Sequence, residues 1–112
     1  MKYAIVFLIL SFLITNKVSA LTIEEKIEAT FGNPRMVDVL RCESQLRQFN
    51  NKGNPLRSKT SDVGIGQVNK VWWSMAKSLG LDIFHSVDDN LQMSKIIYDT
   101  QGIDSWTCNK KV

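Results

Sequence analysis

Ile23, Ile27 and Phe31 recur at four-residue intervals and describe one buried stripe on a helix. Thr22-Ile23-Glu24-Glu25 at its start is a capping box, and Gly32 marks its end. Asn33-Pro34 pairs a capping residue with the one interior position where proline is welcome, and opens a second helix predicted to end around Phe49. At roughly 100° per residue from Met36, Leu40 falls at about 40°, Val39 at about 300° and Leu46 at about 280°. Glu43 falls at about 340°, inside the apolar arc. A carboxylate aimed at the core is costly unless it is paired, neutral or useful. Glu24, Glu25 and Asp38 fit solvated positions; Glu43 does not. Its structural alternatives are a rim position open to water or a buried partner such as Arg47.

Asn50 to Asp62 is polar, with Gly53 and Asn54-Pro55, and reads as turns with room for two short strands. Val63-Gly64-Ile65-Gly66-Gln67-Val68 alternates small with apolar residues and predicts a short extended segment. Gly64 and Gly66 in it permit close approach, by a ligand or by a neighbouring helix. Asn69 can cap a third helix, Lys70 to Leu79, stopped by Gly80. A loop through Phe84 and His85 comes next, and Ser86 to Asp89 caps a fourth helix. Leu91, Ser94, Ile97 and Tyr98 fit its inward face and Gly102 closes it. Ile103 to Cys108 forms a short last element with Trp106. Four or five helices around a polar insert predict a mainly helical α+β domain.

Ahead of Leu21 the pattern changes. Lys2 precedes an almost unbroken apolar run, Tyr3 to Ile14, and Val18-Ser19-Ala20 is a small-residue cleavage site, so residues 1–20 read as a secretory signal. The run is too short to span a bilayer comfortably, and no membrane span is expected after cleavage; retention as an uncleaved anchor is the alternative. The expected mature domain is 21–112, exported to the periplasm or the cell exterior. Of the 14 lysines and arginines, Lys2 and Lys17 belong to the signal, which leaves the mature chain close to neutral against 11 acids. No basic run extends beyond Lys110-Lys111, so a nucleic-acid partner is not expected. Cys42 and Cys108 are the two cysteines. In an exported chain the default is one disulfide, which adds about 4 kcal/mol in the chain-entropy model; two free thiols would imply a reducing compartment. The single histidine, His85, is far from both cysteines in sequence and reads as a surface or loop residue. No ligand cluster calls for a metal, and no cofactor is expected.

Glu43-Ser44, then Asp62-Val63-Gly64-Ile65-Gly66-Gln67-Val68-Asn69, then Trp72-Trp73, resembles the active-site region of c-type lysozymes. Lys95-Ile96-Ile97-Tyr98, Gly102 and Trp106 are similar to the later helix and tryptophan of that pattern. The stretch equally resembles soluble lytic transglycosylase domains, especially the small exported ones, and runs from Val37 to Trp106. The resemblance implies a lysozyme-like fold with a small β/loop insert between helices. It implies that Glu43 is the catalytic acid and Asp62 the second carboxylate, with a local turn bond as the alternative for Asp62. It further implies that Gln67 and Asn69 line a sugar cleft, that Trp72 or Trp73 faces sugar rings, and that Trp106 covers the acid. Tyr98 lies near a tyrosine that transglycosylases place close to the acid, with core packing as the alternative. The eight-cysteine framework of c-type lysozymes is absent, Cys42 abuts the acid, and the fuller tyrosine-asparagine-glycine motif of many transglycosylases is missing. These departures favour a minimal exported transglycosylase-like domain.

Glycoside cleavage needs a proton donor at the leaving oxygen and stabilisation of an oxocarbenium-like transition state. The resemblance therefore implies a glycosidase, expected to be monomeric, acting on the β-1,4 bond between N-acetylmuramic acid and N-acetylglucosamine in peptidoglycan glycan strands, with an envelope assembly as a further partner. Its rivals are a non-catalytic exported module that binds glycans or a protein, and a structural helical domain of an envelope assembly.

Overall fold

The capping signals hold where they are local. In the computed structural model, which describes residues 21–112, Thr22 and Glu25 exchange side-chain and backbone hydrogen bonds, each at 3.2 Å, and open helix α1, Ile23–Phe31. Gly32 ends it at φ 64°. The expected signal, residues 1–20, lies outside the described residues.

Helix α2, Arg35–Ser44, begins with the Arg35 N–H donating to Asn33 Oδ1 at 3.0 Å, as the Asn-Pro pair predicts. It ends five residues before the predicted limit. Gln45 and Leu46 both take positive φ, 57° and 58°, and turn the chain so that Gln48 enters the core. Neither residue type advertises such a conformation, so the stop is a tertiary effect.

The segment predicted to be extended is instead a tight turn between two short strands. β1, Asp62–Val63, pairs antiparallel with β2, Val68–Asn69, in the register Asp62 to Asn69 and Val63 to Val68. In between, Gly64 and Gln67 have φ 74° and 50°. Isolated bridges, Phe49 to Pro55 and Arg57 to Val63, supply the rest of the β structure in the polar insert. Asn69 caps the next helical segment by accepting the Val71 N–H, but its first turn, Lys70–Trp72, is 3₁₀, and only Trp73–Ser78 is α-helical (α3). Ser86 caps helix α4, Val87–Gln101, by accepting the Asp89 N–H, and Gly102 closes it. Two 3₁₀ turns, Ile103–Ser105 and Thr107–Lys110, complete the chain.

Helix α1 packs on α2 and α4, and α2 also meets the last 3₁₀ turn. Ile27, Met36, Val39, Leu40, Ile65 and Met93 are fully buried where these elements meet. The inner face of α4 also carries Asn90 and Ser94, each fully buried. Asn90 Oδ1 accepts the Gly66 N–H at 2.8 Å, and its Nδ2 donates to the carbonyls of Val63 (2.9 Å) and Ile83 (2.8 Å). Gln48 Oε1 accepts the Ile65 N–H at 3.0 Å, while its Nε2 donates to Ile83 O. The Ile65 and Gly66 N–H groups thus find side-chain partners, those of Gly64 and Gln67 donate to the carbonyls of Leu56 and Gly64, and the alternating segment folds as a turn with no further strand beside it. Gly64 and Gly66 are approached by protein: a Cβ on Gly66 would overlap Ser94 Oγ, and one on Gly64 would overlap the Asn90 and Gln48 amides. The result is a mainly helical domain with a small two-stranded sheet. No helix among the described residues is long and apolar enough to cross a membrane.

Candidate functional site

Glu43 lies in the last turn of α2, one residue after Cys42, which is bonded to Cys108 with the two Cα atoms 5.9 Å apart. That link seats the Thr107–Lys110 turn against the end of α2. The carboxyl of Glu43 is half-buried at a groove rim instead of pointing into the core. Its Oε1 accepts the Cys108 N–H at 2.9 Å and the Thr107 hydroxyl at 3.3 Å. Arg47 bonds Asn51 and takes no part.

The groove has a volume of about 320 Å³ and is lined by Glu43, Thr60, Asp62, Gln67, Asn69, Ser105, Trp106 and Thr107. It adjoins a second hollow of about 230 Å³ that shares Asp62, Gln67, Asn69, Ser105 and Trp106 and adds Val71 and Trp72. The β1–β2 turn forms one wall and the C-terminal 3₁₀ turns the other. Trp106 ties them together: its indole N–H donates to Gly66 O at 2.9 Å, and the ring is buried against Phe31. Gln67 reaches the groove from a left-handed backbone, with its amide N–H₂ donating to Gly64 O at 2.8 Å.

Asp62 faces the groove but is bound on both oxygens. Ser58 and Thr60 donate to Oδ2 at 2.7 and 2.5 Å, and Asn69 donates to Oδ1 at 2.9 Å. Partial burial acts to raise its pKa; the hydrogen bonds from Thr60, Ser58 and Asn69 together outweigh burial and hold the carboxyl below its ordinary range. Asp62 is therefore an ionised carboxylate near neutral pH. Asn69 is fully engaged as cap and bridge, since it also donates to Thr60 O.

No protein-family model, curated protein or solved structure matches this chain.

Two of the residues singled out from the sequence lie outside the groove. Trp73 turns away from the groove: its indole N–H donates to Val68 O at 3.0 Å, its ring meets Phe84 edge-on, and Arg57 stacks on both rings. Successive residues at the start of a helix point to different faces, and Trp72 took the groove side. Tyr98 packs edge-on against Phe31 and its hydroxyl accepts from Asn33 Nδ2 at 3.3 Å, so it belongs to the helical core behind Trp106. His85 is exposed in its loop beside Asp82. Among the described residues, no three histidine, cysteine or carboxylate side chains converge where a metal ion could be held.

Thr60, Ser105 and Thr107 line the groove without having been picked out from the sequence. For Thr107 a signal exists: it precedes Cys108 as Glu43 follows Cys42, so a Cys42–Cys108 bond brings the two side chains into one neighbourhood.

Proposed function

We propose that this chain is an exported peptidoglycan-cleaving glycosidase on a lysozyme-like fold, with Glu43 as the acid. The observation that carries the reading is one groove whose walls bring together Glu43, an ionised Asp62, the Gln67 amide and the Trp106 indole. Those are the residue types a glycan cleft uses: carboxyls for proton transfer and charge stabilisation, amides for sugar hydroxyls and N-acetyl groups, and an indole as an apolar wall. The disulfide suits an oxidising compartment and supports export.

The transglycosylase route is favoured over the lysozyme route. Both oxygens of Asp62 are occupied by Ser58, Thr60 and Asn69, so Asp62 serves as a fixed negative charge and not as a nucleophile. Glu43 donates through Oε2, because Oε1 is taken up by the C-terminal turn. It protonates the leaving glycosidic oxygen, then accepts the proton of the muramyl C6 hydroxyl as that oxygen attacks the anomeric carbon and closes a 1,6-anhydro ring.

Purified cell-wall sacculi provide the test. Glu43→Gln keeps the side chain's shape and is expected to abolish loss of turbidity while circular dichroism and the unfolding midpoint stay near wild type. Mass analysis of wild-type products should find the anhydro form, lighter than the hydrolysed form by one water. Undiminished clearing by the variant, or sacculi bound by wild type without release of soluble sugar, defeats the enzymatic reading.

A further inference from the structure

The C-terminal turn does more around Glu43 than close the fold. The chain atoms form a ring. Cys42 Sγ is bonded to Cys108 Sγ, the Cys108 N–H donates to Glu43 Oε1, and Glu43 is the residue next to Cys42. Thr107, exposed at the rim, adds its hydroxyl to the same oxygen. Two donors on one oxygen orient the carboxyl of a residue that lines the groove. The turn is itself held from behind. The Arg35 guanidinium donates to Asn109 Oδ1 at 2.9 Å and to the Asn109 and Val112 carbonyls at 2.7 and 2.9 Å.

A glutamate has three side-chain torsions, and one at a rim without such partners samples several rotamers. Here the partners come from a segment more than sixty residues away, which the disulfide, the Arg35 hydrogen bonds and the Trp106 contact fasten near Glu43. We infer that Thr107 and the main chain of Cys108 are positioning groups for Glu43, and that the Cys42–Cys108 bond is the brace that keeps them in register with it. The inference rests on the reading of Glu43 as the reacting group for its consequence, but not for its geometry.

The test separates the two. Three-bond couplings of the Glu43 β protons, measured by NMR on the isotopically labelled mature domain, report whether the side chain holds one rotamer. Wild type is expected to show one. Thr107→Val, which removes the hydroxyl at nearly constant shape, and the double variant Cys42→Ser/Cys108→Ser are expected to show averaging. Thr107→Ser is expected to restore the single rotamer. With sacculi as substrate, Thr107→Val should lower kcat about tenfold at unchanged KM, with rescue by Thr107→Ser. Should the double variant fail to fold, Thr107→Val carries the test with the disulfide intact. A single Glu43 rotamer in Thr107→Val overturns the inference, as does an unchanged kcat in an active enzyme. An inactive wild type with the expected coupling pattern overturns the glycosidase reading and leaves the positioning geometry standing.

Discussion

Asn90 is the residue on which the groove's β wall hangs, and Asn90→Ala is the perturbation that measures it. The wild-type side chain is fully buried and makes three hydrogen bonds, to Gly66 N–H and to the carbonyls of Val63 and Ile83. Truncation to alanine has unequal effects at the three. Ile83 O keeps a partner, because Gln48 Nε2 also donates to it at 2.8 Å. The Gly66 N–H has no other partner among the described residues and is left inside the protein, at about 2 kcal/mol. Loss of the donor to Val63 O and the small void left by the amide add about 1 kcal/mol each. The expected loss is about 4 kcal/mol, a large share of the roughly 5–15 kcal/mol available to a domain of this kind. In thermal unfolding it corresponds to a fall of about 20 °C in Tm. Equilibrium denaturation by urea, followed by circular dichroism, gives the free energy at zero denaturant. Gln92→Ala, at an exposed position on the same helix, serves as the control and should change stability by under about 0.5 kcal/mol. A loss under about 1 kcal/mol in Asn90→Ala would refute the view that these bonds, and not local preference, hold the turn in place. The same variant should loosen Trp106, whose indole is fastened to Gly66 O, and a red shift of tryptophan fluorescence under native conditions reads that directly.

Gly66→Ala should cost several kcal/mol, because the added methyl would overlap Ser94 Oγ and press on Asn90 Oδ1, whereas Gly32→Ala, in open space at φ 64°, should cost only about 1 kcal/mol of backbone strain; comparable urea midpoints for the two would contradict the close approach of helix α4 to the turn. Folded Asp62 titrates below its unfolded value, so its contribution to stability is present above about pH 4 and is lost as pH falls through the folded value. Asp62→Asn is therefore expected to flatten the acid limb of a stability-against-pH curve, and superimposable acid limbs for the two proteins would show that the three hydrogen bonds do not favour the charged form.

Local chemistry wrote the helix starts into the sequence. Thr22 with Glu25, Asn33 with Pro34, Asn69 and Ser86 each cap a helix through bonds that span two or three residues, so a short window of sequence contains both partners. The stripe Ile23, Ile27 and Phe31 and the pairing of the only two cysteines were readable for similar reasons, one from periodicity and one because no other partner existed. Ends and turns behaved differently. Helix α2 stops at Ser44 because Gln48 is needed among Ile65, Ile83 and Phe84, and the residues that turn the chain, Gln45 and Leu46, have no local preference for a left-handed backbone. Asn90 and Ser94 share the inner face of α4 with Ile97, but the partners that make Asn90 welcome there are 7 to 27 residues away, and pattern reading sees only a polar residue.

At the groove the division is the same. The sequence by itself singled out Glu43 as a carboxyl out of place on its helix and placed Asp62 in a polar loop, while it read Gln67 as part of an extended segment. Only the tertiary structure decided that Glu43 meets Thr107 and Cys108, that Asp62 is bound on both oxygens, that Trp72 and not Trp73 faces the hollow, and that Tyr98 stays behind with Phe31. The physical reason is one of range. A cap or an apolar stripe closes its interactions within a turn or two of chain, whereas a side chain's final direction depends on which distant element arrives to satisfy it, and that is fixed only when the whole core has packed.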